Sequence, residues 1–326
     1  MKNRPNVLVT RRPPGRAIGM LEQRFRVDLW DENRAMPRDR LLDRIRKVDG
    51  LYSMLTDLID TELFEAGSSL RAVSQMAVGV DNVDLAAATR LGIPVGHTPE
   101  VLNETTADTV FGLLLASVRR IGEGAAYVRA GRWGPWQPDL LLGGDLYQTT
   151  LGIIGMGRIG SAIARRARGF DVRILYSNRH PDPAAERELG AQHRTLEDLL
   201  RESDHVVVMA PLNSGTYHLI DEPALRLMKP TATLVNGSRG GLVDLEALER
   251  ALREGWIARA ALDVTEPEPI PPDHPLLGLD NCLIIPHLGS ASVATRISMA
   301  ELAAENLIAG LEGRPMTACA NPEVHG

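Results

Sequence analysis

Short apolar runs alternate with helical patterns of apolar and polar residues along the chain. Within residues 1–101 the apolar runs predict strands at 6–10, 27–30, 50–54, 72–76 and 94–96. Between them, apolar positions recur every three or four residues, which predicts helices at 15–24, 38–47, 60–66 and 85–91. This alternation implies right-handed βαβ units on a parallel sheet, so the region is predicted to be a small α/β domain.

The same alternation continues beyond a long helix that begins at Asn103 and has its apolar body at 110–118. A Gly- and Pro-rich segment at 131–138 ends the helical periodicity. Apolar runs then predict six strands, at 150–154, 173–176, 205–209, 232–236, 258–262 and 282–285. A final helix at 292–311 is expected to return to the first domain. We therefore predict a discontinuous domain, 1–101 with 290–326, into which a second domain, 102–289, is inserted.

A glycine loop follows the first strand of the second domain. Gly155, Gly157 and Gly160 have the G-x-G-x-x-G spacing, with a helical pattern from Ile159 onward. In such loops the glycines allow a tight turn, a close approach to a pyrophosphate and close helix packing. An ordinary glycine-rich turn is the alternative, because the spacing alone is weak evidence. The preceding strand and the following helix and strand favour a dinucleotide-binding loop.

Composition narrows the class of protein. The 326 residues suffice for two domains, and 44% apolar with 24% charged residues is a globular composition. A net charge of −6 argues against nucleic acid or an anionic membrane as the main partner. There is no run of 18 apolar residues and no signal-peptide pattern. Cys282 and Cys319 are too few for a disulfide framework or a Cys-rich metal site. We expect a cytoplasmic protein without a structural metal.

Three chemically distinct side chains follow the last predicted strands. Arg239 can hold a substrate carboxylate through two hydrogen bonds. His287 can protonate a carbonyl oxygen, and Glu268 can favour its imidazolium form. Taken singly, each has a structural alternative: a solvated turn residue, a histidine bonded to backbone, and a charge in a Pro-rich loop. Because ligands bind at the carboxyl ends of the strands in such sheets, the three together predict a carbonyl-reducing site.

The end of the second strand of this domain bears on the cofactor. NAD-specific domains place an acidic residue there, about 20 residues after the glycine loop, to bind the ribose hydroxyls. Here Ser177, Asn178 and Arg179 occupy the position, and the next acid is Asp182. Neutral donors and a cation suit a 2′-phosphate, which predicts NADP(H) as the preferred cofactor with NAD(H) possible. The alternative is that Arg179 faces solvent.

Several motifs together resemble the D-isomer-specific 2-hydroxyacid dehydrogenase family over essentially the whole chain. They are 78–84, 92–95, 98–99 with 106–108, the glycine loop with Arg158-Ile159-Gly160, Arg239-Gly240, Asp263-Val264 with Glu268-Pro269, and 286–291. Trp133, Trp136 and the run 267–269 with 274–277 resemble its glyoxylate/hydroxypyruvate reductase branch. The resemblance implies an α/β fold of two doubly wound parallel sheets, a Rossmann cofactor domain inserted into a flavodoxin-like substrate domain.

The resemblance also implies roles for individual residues. Arg239, Glu268 and His287 would be catalytic, and backbone at Val78 and Gly79 would bind the substrate carboxylate. Asp263 would hold the nicotinamide carboxamide. Further cofactor residues would be Thr106, Gly155, Gly157, Arg158, Ile159, Gly160, Ser177, Asn178, Arg179, Pro211, Thr216, Gly237 and Gly289, and further substrate residues Leu55, Trp136 and Ser290. The family usually has Thr-Ala or Ile-Ser before the catalytic arginine, whereas this chain has Gly237-Ser238.

These inferences favour an NAD(P)H-dependent reductase that converts glyoxylate and hydroxypyruvate to glycolate and D-glycerate, with His287 as general acid. Apolar residues at Met54 and Leu55 favour a short keto acid over a phosphorylated one. Phosphoglycerate, 2-ketogluconate or phosphite dehydrogenases are alternatives, and so is a non-enzymatic, NAD(H)-sensing corepressor-like protein. Trp133 and Trp136 in a Gly/Pro loop suggest a homodimer in which Trp136 reaches the other subunit's pocket. The alternative is that both rings pack within their own subunit.

Overall fold

The computed structural model describes residues 4–325, which form two compact units. One unit comprises the described residues up to Leu102 and those from Ser292 onward, and the other comprises Asn103–Ala291. The first unit is therefore built from two segments of the chain.

The first unit contains a five-stranded, wholly parallel sheet with the order β2-β1-β3-β4-β5. Its strands are β1 Asn6–Val9, β2 Arg26–Leu29, β3 Gly50–Ser53, β4 Ala72–Gln75 and β5 Val95–Gly96. Its helices are α1 Ala17–Glu22, α2 Arg38–Ile45, α3 Thr61–Ala66, α4 Leu85–Arg90 and, near the C-terminus, α12 Val293–Leu311. This is the doubly wound, flavodoxin-like order, as the resemblance implied.

Strand β3 lies in the middle of the first unit, and all four of its residues are buried. Parallel strands covered on both faces read as continuous apolar runs, which is why the sequence pattern identified them. Helix α12 packs against β3 and β4. On that face the Tyr52 hydroxyl donates a hydrogen bond to the Ala300 carbonyl at 3.1 Å. The helix begins after Ser292, whose hydroxyl accepts from the Thr295 N–H.

The second unit contains a seven-stranded parallel sheet with the order β12-β11-β10-β9-β6-β7-β8. Its strands are β6 Thr150–Ile154, β7 Arg173–Ser177, β8 Gln192–His193, β9 His205–Val208, β10 Thr233–Asn236, β11 Arg259–Leu262 and β12 Cys282–Ile284. Its helices are α5 Asn103–Val118, α6 Ile121–Arg129, α7 Arg158–Ala167, α8 Pro183–Leu189, α9 Leu196–Glu202, α10 Glu222–Leu227 and α11 Leu245–Glu254. Counted from β6, the strands follow the Rossmann order, with β12 added at one edge.

The prediction of six strands in this unit is wrong by one. Strand β8 is only two residues long, and both residues are polar, so no apolar run marks it. It pairs with β7 at the opposite edge of the sheet from β12. Short edge strands make few side-chain contacts and leave little trace in a hydrophobic pattern.

Helix α6 and the segment after it are the most exposed apolar part of the second unit. None of the residues of α6 is buried, and Ile121 and Val128 are 57% and 51% exposed. Residues 130–149 then contain no helix or strand. Within them Trp133 and Trp136 are 69% and 84% exposed, so the alternative that both rings pack within their own chain is wrong.

No helix formed by residues 4–325 has the length and apolar character needed to cross a bilayer. Among the same residues, no group of three or more His, Cys, Asp or Glu side chains is arranged to hold a metal ion.

Candidate active site

The glycine loop between β6 and α7 has the geometry that a pyrophosphate requires. Gly155 has a φ of +99°, and a Cβ there would lie 2.7 Å from the Ala210 nitrogen. A Cβ on Gly160 would overlap the Gly155 carbonyl oxygen, whereas one on Gly157 would meet nothing within 4 Å. The loop is thus closed towards the sheet and open towards the N-terminus of α7, the positive end of the helix dipole, which favours an anion.

A cavity of about 450 Å³ lies beside this opening. It is lined by Asn103, Glu104, Met156, Gly157, Arg158, Ser161, Arg165 and Asp182. Ile159, in the first turn of α7, packs against the apolar core of the unit. The residues present therefore fit a dinucleotide cofactor, with the open face at Gly157 and the N-terminus of α7 for the phosphates.

The end of β7 provides fewer free groups than its sequence suggests. The Asn178 side chain accepts a hydrogen bond from the Met156 N–H at 2.7 Å, so it holds the glycine loop. Asp182 caps α8 by accepting from the N–H groups of Ala184 and Ala185. Ser177 is half-buried and Arg179 is exposed. The nearest carboxylate is thus engaged at a helix N-terminus.

Other residues expected at the cofactor lie at the carboxyl ends of neighbouring strands. Thr106 is 6% exposed, and a Cβ on Gly289 would lie 3.3 Å from its methyl carbon. The Thr216 hydroxyl donates to the Pro211 carbonyl at 2.7 Å and closes the turn after β9. Gly237 packs against the Val110 side chain of α5, and this contact explains why the chain has glycine there.

Glu268 and His287 form a hydrogen-bonded pair. His287 Nδ1 lies 2.6 Å from Glu268 Oε1, and the two side chains are 26% and 37% exposed respectively. The pair orients the imidazole ring and leaves Nε2 as the nitrogen that can face a ligand. His287 itself has a φ of +53°, a left-handed conformation that non-glycine residues adopt rarely. Such a conformation persists only where surrounding contacts hold it.

Asp263 provides those contacts. Its carbonyl accepts the His287 N–H at 2.9 Å, and its carboxylate accepts the N–H groups of Leu288 and Gly289 at 2.5 and 2.9 Å. The side chain is 2% exposed, and burial raises the pKa of this carboxyl above its ordinary value. Asp263 therefore fixes the backbone turn that carries His287.

Arg239 follows β10 and is half-buried. Its Nη1 donates to the Ser238 carbonyl at 2.9 Å. Strands β10, β11 and β12 are hydrogen-bonded neighbours, so Arg239, Glu268 and His287 all leave the same edge of the sheet. Ser290, 8% exposed, follows the His287 turn directly.

In the first unit, the main chain after β4 is polarised. The Val78 carbonyl accepts a hydrogen bond from His97 Nδ1 at 3.0 Å. The Gly79 carbonyl accepts one from the Gln75 side-chain amide at 2.7 Å. Within the described residues the N–H groups of Val78 and Gly79 donate to no partner. Two N–H groups without partners, next to each other at the carboxyl edge of a sheet, suit an anion.

Leu55 lies in the turn after β3 and is 37% exposed. Asp57, 4% exposed, holds this turn, because its carboxylate accepts the Met54 N–H at 2.7 Å and the Thr10 hydroxyl at 2.5 Å. Four supporting residues were not identified from the sequence: Asp57, Gln75, His97 and Asn236. The sequence feature that could have identified them is a polar residue at the end of an apolar strand or shortly after it.

Comparison with known proteins identifies the family of this chain. Residues 111–289 match the family model of the D-isomer specific 2-hydroxyacid dehydrogenase, NAD binding domain. A glyoxylate reductase of Korarchaeum cryptofilum is 52% identical over 322 residues, which cover 98% of this chain and 97% of that protein. A glyoxylate reductase of Pyrococcus furiosus is 49% identical over 325 residues, with coverage of 98% and 96%.

Solved structures give the same result. An NADPH-dependent glyoxylate/hydroxypyruvate reductase of Sinorhizobium meliloti, in complex with NADP and malonate, matches with a TM-score of 0.85 and 34% identity. The match covers 98% of both chains. A protein of Thermus thermophilus matches with a TM-score of 0.91 and 47% identity, covering 97% of this chain and 99% of that one. The chain belongs to the D-isomer specific 2-hydroxyacid dehydrogenase family.

Proposed function

We propose that this protein is an NAD(P)H-dependent reductase that converts glyoxylate to glycolate and hydroxypyruvate to D-glycerate. The observation that carries the proposal is the Glu268–His287 pair, at 2.6 Å, on the same sheet edge as Arg239 and the open glycine loop. The similar proteins named glyoxylate reductase support the choice of substrate.

Each residue has one task in this reaction. Arg239 binds the substrate carboxylate through its planar guanidinium. The nicotinamide, when bound, supplies a hydride to the keto carbon. His287 Nε2–H donates its proton to the keto oxygen as negative charge develops there. Glu268 keeps the ring oriented and stabilises the imidazolium from which that proton leaves.

The first unit has anion-binding groups of its own. We propose that the N–H groups of Val78 and Gly79 bind a carboxylate and that Leu55 is an apolar substrate contact. Leu55 is apolar and partly exposed, and it offers no cation to a phosphate group. The first unit is thus the substrate domain and the second the cofactor domain.

The experiment is a steady-state screen of glyoxylate, hydroxypyruvate, 3-phosphohydroxypyruvate and 2-ketogluconate with reduced cofactor. We expect the highest kcat/KM for hydroxypyruvate or glyoxylate, with D-glycerate as the product of hydroxypyruvate. A much higher kcat/KM for 3-phosphohydroxypyruvate would contradict the substrate assignment. No turnover of any keto acid would favour a non-enzymatic role.

NADPH is the preferred cofactor in this proposal. The nearest carboxylate, Asp182, caps α8 through Oδ1, and the end of β7 itself carries Ser177, Asn178 and Arg179 in place of an acid. Arg179 is exposed and positioned in sequence to meet a 2′-phosphate. We expect kcat/KM to be higher with NADPH than with NADH and the ratio to narrow in Arg179→Ala. A preference for NADH in the unmutated enzyme would overturn this part.

The exposed arm, α6 with residues 130–149, is the surface that we propose a second copy of the chain covers. A tryptophan ring that is 84% exposed leaves a large apolar area in water. We expect a homodimer by light scattering at micromolar concentration, and a raised KM for hydroxypyruvate in Trp136→Ala with unchanged cofactor affinity. Trp256→Ala is the control, since that ring stacks on the Arg226 guanidinium, 3.5 Å away. A monomer would refute the dimer, and normal kinetics in Trp136→Ala would remove its role in the pocket.

A further inference from the structure

Asn236 is the last residue of β10 and is fully buried, with 0% exposure. Its amide does not point along the strand but spans the turn that follows. The Nδ2 group donates to the Arg239 carbonyl at 2.8 Å, and Oδ1 accepts the Ser238 N–H at 3.1 Å. One side chain therefore fixes the main chain on both sides of the peptide bond that joins Ser238 to Arg239.

Ser238 ties the same turn to the neighbouring strand end. Its hydroxyl donates to the Ala210 carbonyl at 2.7 Å, and Ala210 directly precedes Pro211 at the end of β9. The Ser238 carbonyl in turn accepts from Arg239 Nη1 at 2.9 Å. The guanidinium is thus bonded to a main chain that is itself held by two other groups.

We propose that Asn236 is a positioning residue for the substrate arginine, acting through the backbone of the 236–239 turn, with Ser238 as its second anchor. The inference rests on the proposed function, because it assigns to Arg239 the task of holding the substrate carboxylate. A two-point contact between guanidinium and carboxylate tolerates little displacement, and a shift of about 1 Å in a reacting group can cost on the order of 10²-fold in rate.

The pattern of hydrogen bonds requires an amide at this position. Asn offers one donor group and one acceptor on the same planar head, and the turn uses both. Aspartate has the same shape but accepts only, so it would keep the bond to Ser238 and oppose the Arg239 carbonyl. Asn236→Asp therefore removes one defined bond while it leaves the side-chain volume almost unchanged.

The test compares Asn236→Asp with the unmutated enzyme in glyoxylate reduction. We expect KM for glyoxylate to rise about 10- to 100-fold. The Kd for NADPH is expected to stay within about twofold, and the pH profile of kcat to stay unchanged, because Glu268 and His287 lie in loops that follow other strands, β11 and β12. A purely structural role for Asn236 would lower the unfolding midpoint without this selective rise in KM.

Asn321 provides the matched control. It is also an asparagine with 0% exposure, and it also bridges two main-chain groups, the Val95 N–H at 2.8 Å and the Ile93 carbonyl at 3.0 Å. It lies in the first unit and holds none of the proposed binding groups. Asn321→Asp is expected to lower stability and to leave KM for glyoxylate unchanged.

Ser238→Ala covers the case in which Asn236→Asp does not fold. It removes only the hydroxyl bond to Ala210, and we expect KM to rise about three- to tenfold, the usual size of one lost hydrogen bond. The inference is overturned by one combination of results. The unmutated enzyme reduces glyoxylate and Arg239→Ala raises KM for glyoxylate, but the folded Asn236 or Ser238 variant leaves this KM unchanged. Absence of keto-acid reduction in the unmutated protein overturns the proposed function instead.

Discussion

The two parallel sheets use their carboxyl edges in different ways. At the edge of the second unit, the proposed reacting groups are charged side chains that follow neighbouring strands, Arg239, Glu268 and His287. At the edge of the first unit, the corresponding groups are the main-chain N–H groups of Val78 and Gly79 and the apolar side chain of Leu55. A doubly wound sheet offers an anion site by either route, since both side-chain cations and converging N–H groups attract a carboxylate.

Despite this difference, each edge contains one buried aspartate that holds a functional turn. Asp57 holds the turn with Leu55 through the Met54 N–H, and Asp263 holds the turn with His287 through Leu288 and Gly289. Burial raises the pKa of both carboxyls above the ordinary aspartate value. In both units, therefore, a buried carboxylate close to a strand end holds a turn that carries a proposed site residue.

The largest effect is expected at His287, the proposed proton donor of the second edge. His287→Ala should lower kcat for glyoxylate reduction by on the order of 10²–10⁴, the usual contribution of a general acid. Stopped-flow or steady-state rates at saturating substrate measure the loss.

His218→Ala is the control for that experiment. His218 also has a positive φ, +50°, and also lies near a glutamate, with Nε2 3.8 Å from Glu266. It has no assigned task in proton transfer, so we expect kcat to change less than about threefold. Equal losses in the two variants would contradict the assignment of His287.

Replacing each of the two aspartates with asparagine should affect different kinetic constants at the two edges. Asn in place of Asp263 has a single acceptor oxygen for the two N–H groups, so the His287 turn moves and kcat falls by on the order of 10- to 100-fold. Asp57→Asn should instead raise KM for glyoxylate a few-fold with little change in kcat. If Asp263→Asn altered only the Kd for the cofactor, its support of the His287 turn would be wrong.

Glu268→Gln tests the electrostatic part of the second edge. The His287 ring keeps a hydrogen-bonding partner in this variant but loses the negative charge beside it, and a charge-assisted hydrogen bond is roughly twice as strong as a neutral one. We expect kcat for glyoxylate reduction to fall roughly tenfold. Steady-state rates at saturating glyoxylate measure the loss, and an unchanged kcat would refute the pairing.

The smallest expected effect is on the free energy of unfolding, to which a buried aspartate at each edge contributes. Because the pKa values of Asp57 and Asp263 are raised in the folded state, the native protein binds these protons more tightly than the unfolded chain. Their contribution to the free energy of unfolding is fully present below about pH 4, the ordinary pKa of aspartate in the unfolded chain. It is lost as the pH rises through the raised pKa values of the folded state. Relative to the Asp57→Asn/Asp263→Asn variant, the unmutated protein should thus lose unfolding free energy as the pH rises above about 4.

Urea unfolding at several pH values measures this difference. Asp39→Asn is the control for the loss of an aspartate charge at the surface, because the Asp39 carboxylate is 80% exposed. If the difference in unfolding free energy between the double variant and the unmutated protein did not vary with pH, burial would not control the pKa values of these two carboxyls.

The sequence was most informative about the second unit. The pattern gave β6 at its observed limits, and the helix before the exposed arm ends at Val118 as expected. Arg239, Glu268 and His287 were identified because each is a reactive side chain just after an apolar strand, and their types alone suggest proton transfer and carboxylate binding. Strand β8 was missed, since two polar edge residues make no hydrophobic pattern.

Supporting groups could not be identified in the same way. Asn236, Gln75 and Asp57 are ordinary polar residues in the sequence, and only the fold shows that they are buried and bonded to particular main-chain atoms. Every residue except proline has a main-chain N–H group, so no side-chain pattern could identify those of Val78 and Gly79. Their place in the proposed site came only from the resemblance to the family.

The sequence by itself determined the architecture and the reacting side chains, because strand and helix periodicity and residue chemistry are local properties. It also determined the glycine loop, since its spacing reflects close approaches within a few residues. Only the tertiary structure decided which main-chain N–H groups remain unpaired, how the His287 turn is held at a φ of +53°, and that Asp182 is engaged at a helix N-terminus. These features depend on partners distant along the chain or on exact backbone angles, and packing alone brings such groups to hydrogen-bonding distance.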